Sequence, residues 1–312
     1  MGTVKQPAAG KPLFRSGLSG QTDRRSRRMS DTRLHPVLQG INLCCLVLLC
    51  LTMIIPIWNS LMISLSGNVA SMRPGLRLLP ADWSLEGYAT VWNKMNLWRP
   101  FLNNVIVTVT GTLLHVLLCA MAGYTLVVRG FPGKRLLISF LFLTMTVPGE
   151  AILIPLYVVN KELGLLDTLT SLVLSGIVSG FSILLMRGFF LSVPYEMQES
   201  ARVDGAGDFR ILFTLYLPLA VSGLATVTLF EFVSRWNQFT PALLYISSST
   251  KHTLQVALQS LIILSDATSG SEITTPNVRM AGVMIAILPL LVIYPFMQKY
   301  FVQGLTAGAV KE

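Results

Sequence analysis

Apolar residues along this chain fall in long runs, not in short alternating stretches. Six of them, over about residues 38–61, 101–128, 136–159, 169–189, 212–232 and 280–300, are each near the ~20 residues with which an α-helix crosses the hydrocarbon core of a bilayer. The pattern predicts an all-α membrane protein of six spans. The first run exceeds the ~7–15 apolar residues of a secretory signal, so it is expected to stay in the membrane as span one. Six spans return both ends of the chain to one side. Three long or distinct connections, 66–100, 160–168 and 236–277, then share the opposite side.

One polar segment interrupts the apolar pattern with structure of its own: residues 192–220, reading SVPYEMQESARVDGAGDFRILFTLYLPLA. Ser192 suits a helix N-cap, Pro194 the first helical turn, Glu196 and Glu199 the positive end of the helix dipole, and Gly205 the stop. These signals predict an amphipathic helix of about ten residues. So short a helix is marginal alone, because nucleation is costly, and it needs a surface to lie against.

Composition supports a membrane protein: 52% of the 312 residues are hydrophobic and 12% charged, against about a quarter charged in soluble domains. The net charge of +9 would suggest nucleic acid in a soluble protein. Here the basic residues sit in the first 36 residues, around Arg129, Lys134 and Arg135, around Arg187, Arg202 and Arg210, and near Lys299 and Lys311. That distribution sets topology, with both termini and the 192–211 loop cytoplasmic, and no nucleic-acid partner is expected. Residues 1–36, with Arg24, Arg25, Arg27 and Arg28, read as a disordered basic cytoplasmic tail able to touch anionic lipid. Residues 37–312 read as one transmembrane domain. The four cysteines, Cys44, Cys45, Cys50 and Cys119, lie in apolar runs without metal-type spacing, and are expected to be free and buried.

The outer loops carry further signals. Residues 66–100 hold Trp83, Trp92 and Trp98, whose amphipathic rings suit an interface. Residues 236–277 contain a Ser-rich turn at 247–250, an apolar stretch at 254–264 and a polar run at 265–275. A loop that long with its own helix is expected to bind something. Within the spans, Glu150 directly follows Pro148-Gly149, where a break in span three is expected. An ionisable group there either faces a pore or partner, or stabilises the broken helix. Glu231 and Arg235 can pair on one helix face, and His115 is expected to be packed and hydrogen-bonded. No phosphate loop is present, because Gly133-Lys134 is followed by Arg135 and Gly10-Lys11 by Pro12. This chain is expected to bind no cofactor or metal and to catalyse nothing.

Glu199-Ser200-Ala201, then Gly205 and Leu217-Pro218, resembles the EAA loop of bacterial ABC-importer permeases, with Ser200 where a second Ala is common and Leu215 where Ile is common. Gly123-Tyr124 with 129–134 (RGFPGK), Pro148-Gly149 with 154–157, 163–165, Trp236-Asn237-Gln238-Phe239 with 241–244, and Tyr294-Pro295-Phe296 before Lys299-Tyr300-Phe301 and Gly304 resemble its sugar-uptake, maltose G-type branch. The ending is similar to permeases for complex saccharides, among them the second membrane subunit of the alginate importer. The resemblance implies a type I importer fold in the bacterial inner membrane. Its implied partners are a second homologous permease in a heterodimer, two ATPase subunits that hold ATP and magnesium, an extracytoplasmic solute-binding protein, membrane lipid and a saccharide, oligomeric or polymeric, with an acidic one such as alginate among the candidates. It assigns ATPase coupling to Glu199, Ser200, Ala201, Asp204, Gly205 and Pro218. Candidate substrate-path residues are Glu150, Asn103, Asn104, Glu231, Arg235, Trp236 and Asn237. The third outer loop, with Lys251, His252, Ser265 and Asp266, is expected to reach the binding protein. Arg235, Lys251 and Arg279 are the cations an acidic cargo would meet. An ion-coupled secondary sugar transporter is the rival reading; it would more often show paired broken spans, of which the sequence suggests one.

Overall fold

Helix boundaries in this chain are set mainly by proline, glycine and small hydroxyl residues, and they cut several of the apolar runs. The computed structural model describes residue 2 and residues 36–94, 96–267 and 275–309; the expected tail lies outside the described residues. The main helices are α1 (Pro36–Ser64), α2 (Trp98–Thr125), α3 (Lys134–Thr146), α4 (Leu153–Glu162), α5 (Gly180–Phe190), α6 (Tyr195–Val203), α7 (Val221–Trp236), α8 (Leu254–Ala267) and α9 (Pro276–Ala309). By length and hydropathy α1, α2 and the 276–296 part of α9 can each cross a membrane, and up to five crossings result if two bent pairs count as spans. The fold is thus an all-α, multi-span membrane fold.

The break expected in span three is present and sharp. Val147 turns extended ahead of Pro148, as the residue before a proline must when the ring excludes the α region. A 3-10 turn at Gly149–Ile152 follows, and α3 and the stretch after it meet at 93°. Two further breaks were not expected. The fourth run divides into a short helix, Leu169–Leu174, and α5. Between them Gly176 takes a left-handed φ of 67°, and the Ser179 side chain caps α5 by accepting from the Ser182 N–H at 3.3 Å. The fifth run bends by 85° at Ala220, just after a π-helical turn at Leu212–Tyr216 and Pro218, which supplies no N–H to the ladder.

Within residues 59–312, buried side chains cluster at several levels along α2. Near its C-terminus Tyr124, Met186, Phe190, Ile211 and Tyr216 pack together, with Tyr216 edge-on to both Tyr124 and Phe190 at centroid distances of 5.0 and 5.4 Å. Near its middle and N-terminus Val107, Leu172 and Tyr245 form a second core, and Leu97, Trp236, Leu254 and Ala281 a third. Glycine allows the closest approaches, as is common between membrane helices. A Cβ on Gly111 would fall 2.7 Å from Arg235 Nε, and one on Gly223 2.8 Å from the Phe189 Cβ. The cysteines depart from expectation: Cys119 is buried, whereas Cys44, Cys45 and Cys50 are exposed on α1.

Gly111→Val should therefore displace the Arg235 guanidinium and cost about 1–3 kcal/mol by overpacking. The thermal midpoint of the purified protein should fall well below that of Gly188→Val, where nothing lies within 4 Å of the added carbon.

Candidate functional site

The predicted amphipathic helix is α6, 9 residues long. Its start differs from expectation. Pro194, extended at ψ 132°, occupies the N-cap, while the Ser192 hydroxyl donates back to the Phe189 carbonyl at 2.6 Å. Proline fits there because an N-cap N–H has no partner within the helix to lose. Its end is as expected and complete. Gly205, at φ 79°, donates to the Arg202 carbonyl at 3.0 Å and Ala206 to the Ala201 carbonyl at 2.9 Å, the paired bonds of a Schellman closure.

One face of α6 is held by the chain itself. Gln198 is 1% exposed and accepts from the Tyr216 hydroxyl at 2.8 Å, and Ala201 packs on the Tyr124 core. Asp208 accepts from the Tyr124 hydroxyl at 2.9 Å and pairs with Arg202 at 2.8 Å. The Arg129 guanidinium lies 3.6 Å over the Tyr195 ring. The other face is open: Glu199, Ser200, Asp204 and Gly205 are exposed, as are Met197, Val203 and Pro218. Gly205 is therefore required by backbone conformation, and Ala201 by internal packing, in addition to any contact outside the chain. The internal ties through Gln198, Tyr216, Tyr124 and Asp208 have no sequence signature, because no spacing rule links residues 84 positions apart.

A second polar cluster lies between α2, α5, α7 and the 169–179 segment. Arg235, 3% exposed, pairs through Nε with Glu231 at 2.6 Å, as the four-residue spacing implied. Its Nη1 donates to the Leu172 and Val173 carbonyls at 3.2 and 3.1 Å. His115, fully buried, lies 3.0 Å from the Gly176 carbonyl through Nδ1 and 3.3 Å from Glu231. A carbonyl can only accept, which puts a proton on Nδ1. Nε2 is 2.9 Å from the Ser182 hydroxyl. His115 is thus a packed, hydrogen-bonded residue, and Glu231 and Arg235 line a cavity of about 340 Å³.

The remaining candidates are distributed. Asn103 donates to the Thr250 and His252 carbonyls, both at 3.0 Å, and Asn104 to the Trp236 carbonyl at 3.3 Å. Trp236 is buried and donates to the Ala286 carbonyl at 2.9 Å. These side chains serve as ties between helices. Glu150 is exposed in the 3-10 turn of the break. Lys251 pairs with Asp167 at 3.0 Å. The helical stretch expected in the third outer loop is α8; Ser265 and Asp266 belong to its backbone, and their side chains lie outside the described residues.

Asp167 was not anticipated. It sits at a left-handed φ of 56°, and its carboxylate accepts from the Ser247 and Ser248 N–H groups at 3.1 and 2.9 Å, from the Ser248 hydroxyl at 2.6 Å and from Lys251. The Ser248 bonds foremost, then Lys251, hold its carboxyl well below the usual carboxylate range. The segment before Leu169 is thereby clamped to the 247–251 segment.

The fold defines a multi-span membrane protein, and the chain belongs to the family of binding-protein-dependent transport system inner membrane components, matched over residues 115–307. It is a multi-pass inner-membrane transport subunit of the ABC-importer class, not an enzyme. It is 34% identical over 242 residues, 75% of this chain and 84% of the relative, to the polygalacturonan/rhamnogalacturonan transport system permease protein YtcP of Bacillus subtilis (strain 168). It is 32% identical over 235 residues, 75% of this chain and 76% of the relative, to the diacetylchitobiose uptake system permease protein NgcG of Streptomyces coelicolor (strain ATCC BAA-471 / A3(2) / M145). Among solved structures, a chain of a bacterial ABC transporter involved in the import of the acidic polysaccharide alginate superimposes with TM-score 0.78 at 29% identity, covering 86% of this chain and 98% of that one.

Because the folded chain lowers the Asp167 carboxyl, the ionised group contributes stability that is full above about pH 4 and is lost as pH falls towards the lowered value. Asp167→Asn should therefore lower the thermal midpoint by a constant amount between pH 7 and pH 5, and the gap to the parent should close as pH drops below about 4. A gap independent of pH down to acid unfolding would contradict this.

Proposed function

We propose that this chain is one of two homologous permease subunits of an ATP-driven importer that carries an oligo- or polysaccharide from a binding protein into the cytoplasm by alternating access. The observation that carries the saccharide reading is that similar permeases spanning most of the chain are named for complex saccharides, as is the solved transporter of matching fold. In this reading the membrane domain begins near residue 37 and has six spans, with the 169–190 segment as a broken one and both termini and the 192–211 loop cytoplasmic. The basic tail lies on the same side.

The 192–211 loop is then the coupling element. The exposed face of α6, with Glu199 and Ser200 beside Met197 and Val203, offers a charge and an apolar rim to a cleft in an ATPase, one copy under each permease subunit. Its other face is fastened to the Tyr124 and Tyr216 core, so a push on α6 reaches α2 and α5 through packed rings. The 236–277 loop is the arm that meets the binding protein. Of the cations an acidic cargo would meet, Arg235 is paired with Glu231 and Lys251 with Asp167, whereas the solved transporter of matching fold is named for an acidic polysaccharide. Family membership, not the number of broken spans, argues against an ion-coupled secondary transporter, since the chain has more breaks than its sequence suggested.

ATPase activity of the reconstituted complex should rise when the binding protein is loaded with the right saccharide, and Glu199→Ala should abolish that rise and uptake together. Gly205→Ala should cost about 1 kcal/mol through the left-handed site alone and lower the thermal midpoint modestly. Purification without any ATPase, with sugar accumulated on an ion gradient, would overturn the reading.

A further inference from the structure

Beyond the clusters already described, a cavity of about 420 Å³ lies where the end of α7 meets α8 and α9. That volume falls in the ~300–1,000 Å³ typical of small-molecule sites. Three amide side chains line it: Asn237 just past α7, and Gln255 and Gln259, one turn apart on α8. Two of the amides have a fixed orientation. Asn237 Nδ2 donates to the Val233 carbonyl at 2.9 Å and Gln255 Nε2 to the Trp236 carbonyl at 3.3 Å. Because a backbone carbonyl can only accept, the NH₂ of each amide is the group that faces it, and each amide oxygen keeps its acceptor capacity for something else. Phe239 and the α9 side chains Val283, Ile287 and Leu290 supply the apolar part of the lining.

Among the described residues the lining holds no ionised side chain. Oriented amide oxygens attract O–H donors and disfavour a carboxylate, and an apolar wall suits the C–H face of a sugar ring. We infer that this cavity binds one uncharged, hydroxyl-rich sugar residue of the cargo, with Asn237 and Gln255 accepting from its hydroxyls and Gln259, able both to donate and to accept, selecting among them. The inference rests on the saccharide-import reading and adds to it a site and a preference for neutral sugar units. It also couples the site to the third outer loop, since α8 belongs to that loop and contributes two of the three amides.

The test uses the whole importer in proteoliposomes with saturating binding protein. Its probes are two neutral saccharides, diacetylchitobiose and an arabinooligosaccharide, and two acidic ones, oligogalacturonate and oligoalginate. Asn237→Leu combined with Gln259→Leu should lower uptake of a transported neutral saccharide about tenfold, the scale of one or two lost hydrogen bonds, and by more than any fall in ATPase stimulation. Unchanged uptake, or an equal fall in stimulation and uptake, overturns the site. Transport of acidic saccharides alone overturns the preference for neutral units. Failure of every loaded binding protein to stimulate the ATPase overturns the import reading and the site with it. A second measurement avoids the question of folding: with Cys44, Cys45 and Cys50 replaced by serine, Gln259→Cys in the assembled importer is alkylated with N-ethylmaleimide. A neutral saccharide should slow that alkylation several-fold, and an unaltered rate overturns the site.

Discussion

A buried charge must be answered where it lies, and in this chain that constraint falls on Arg235. At 3% exposure its guanidinium cannot rely on water, and an unpaired charge in so poor a dielectric costs several kcal/mol even after relaxation. The answer comes from four directions: Glu231 one turn back, the Leu172 and Val173 carbonyls, and a glycine at 111 that leaves room for the group. Glu231 is in turn approached by His115, which is held by Gly176 and Ser182. The free carbonyls at Leu172 and Val173 exist because the helix at Leu169–Leu174 stops. The broken run and the buried arginine thus explain each other: the break exposes acceptors, and the cation engages them.

Much of the architecture was legible because membrane insertion imposes length and hydropathy on the chain. The runs beginning near residues 38, 101 and 280 are α1, α2 and α9, and the capping and charge signals of 192–205 located α6 to within a residue or two. Direction was not legible. Hydropathy sums composition over a window and is blind to a turn inside it, so the breaks at 175–179 and Ala220 passed unseen, whereas Pro148 announced its own. Polar side chains were the harder problem. Asn103, Asn104 and Trp236 have the chemistry of a ligand path, yet each is engaged by a backbone carbonyl on another segment, and the partner of such a bond is a property of tertiary structure. Asp167 was missed for the same reason: its four donors come from residues 80 or more positions away.

The two ends of α2 are built differently. Around Tyr124 and Tyr216 the side chains form an aromatic knot, with the Tyr216 hydroxyl on Gln198 and the Tyr124 hydroxyl on Asp208. Towards Trp98, amides and carbonyls tie connecting segments to helix ends, and Trp98 stacks on Phe101, which meets Trp236 edge-on. Bonds of that kind hold a loop in register without filling space, and they leave recesses such as the amide-lined one between α7, α8 and α9.

The right-angled bend between α3 and α4 has a bearing on what must surround the protein in the membrane. A 13-residue helix is only about 20 Å long, short of a hydrocarbon core of about 30 Å, and every residue on both sides of the bend is at least partly exposed. Backbone groups freed at such a bend are intolerable against lipid tails. Once the chain is in the membrane, protein or a water-filled cavity must therefore cover this corner.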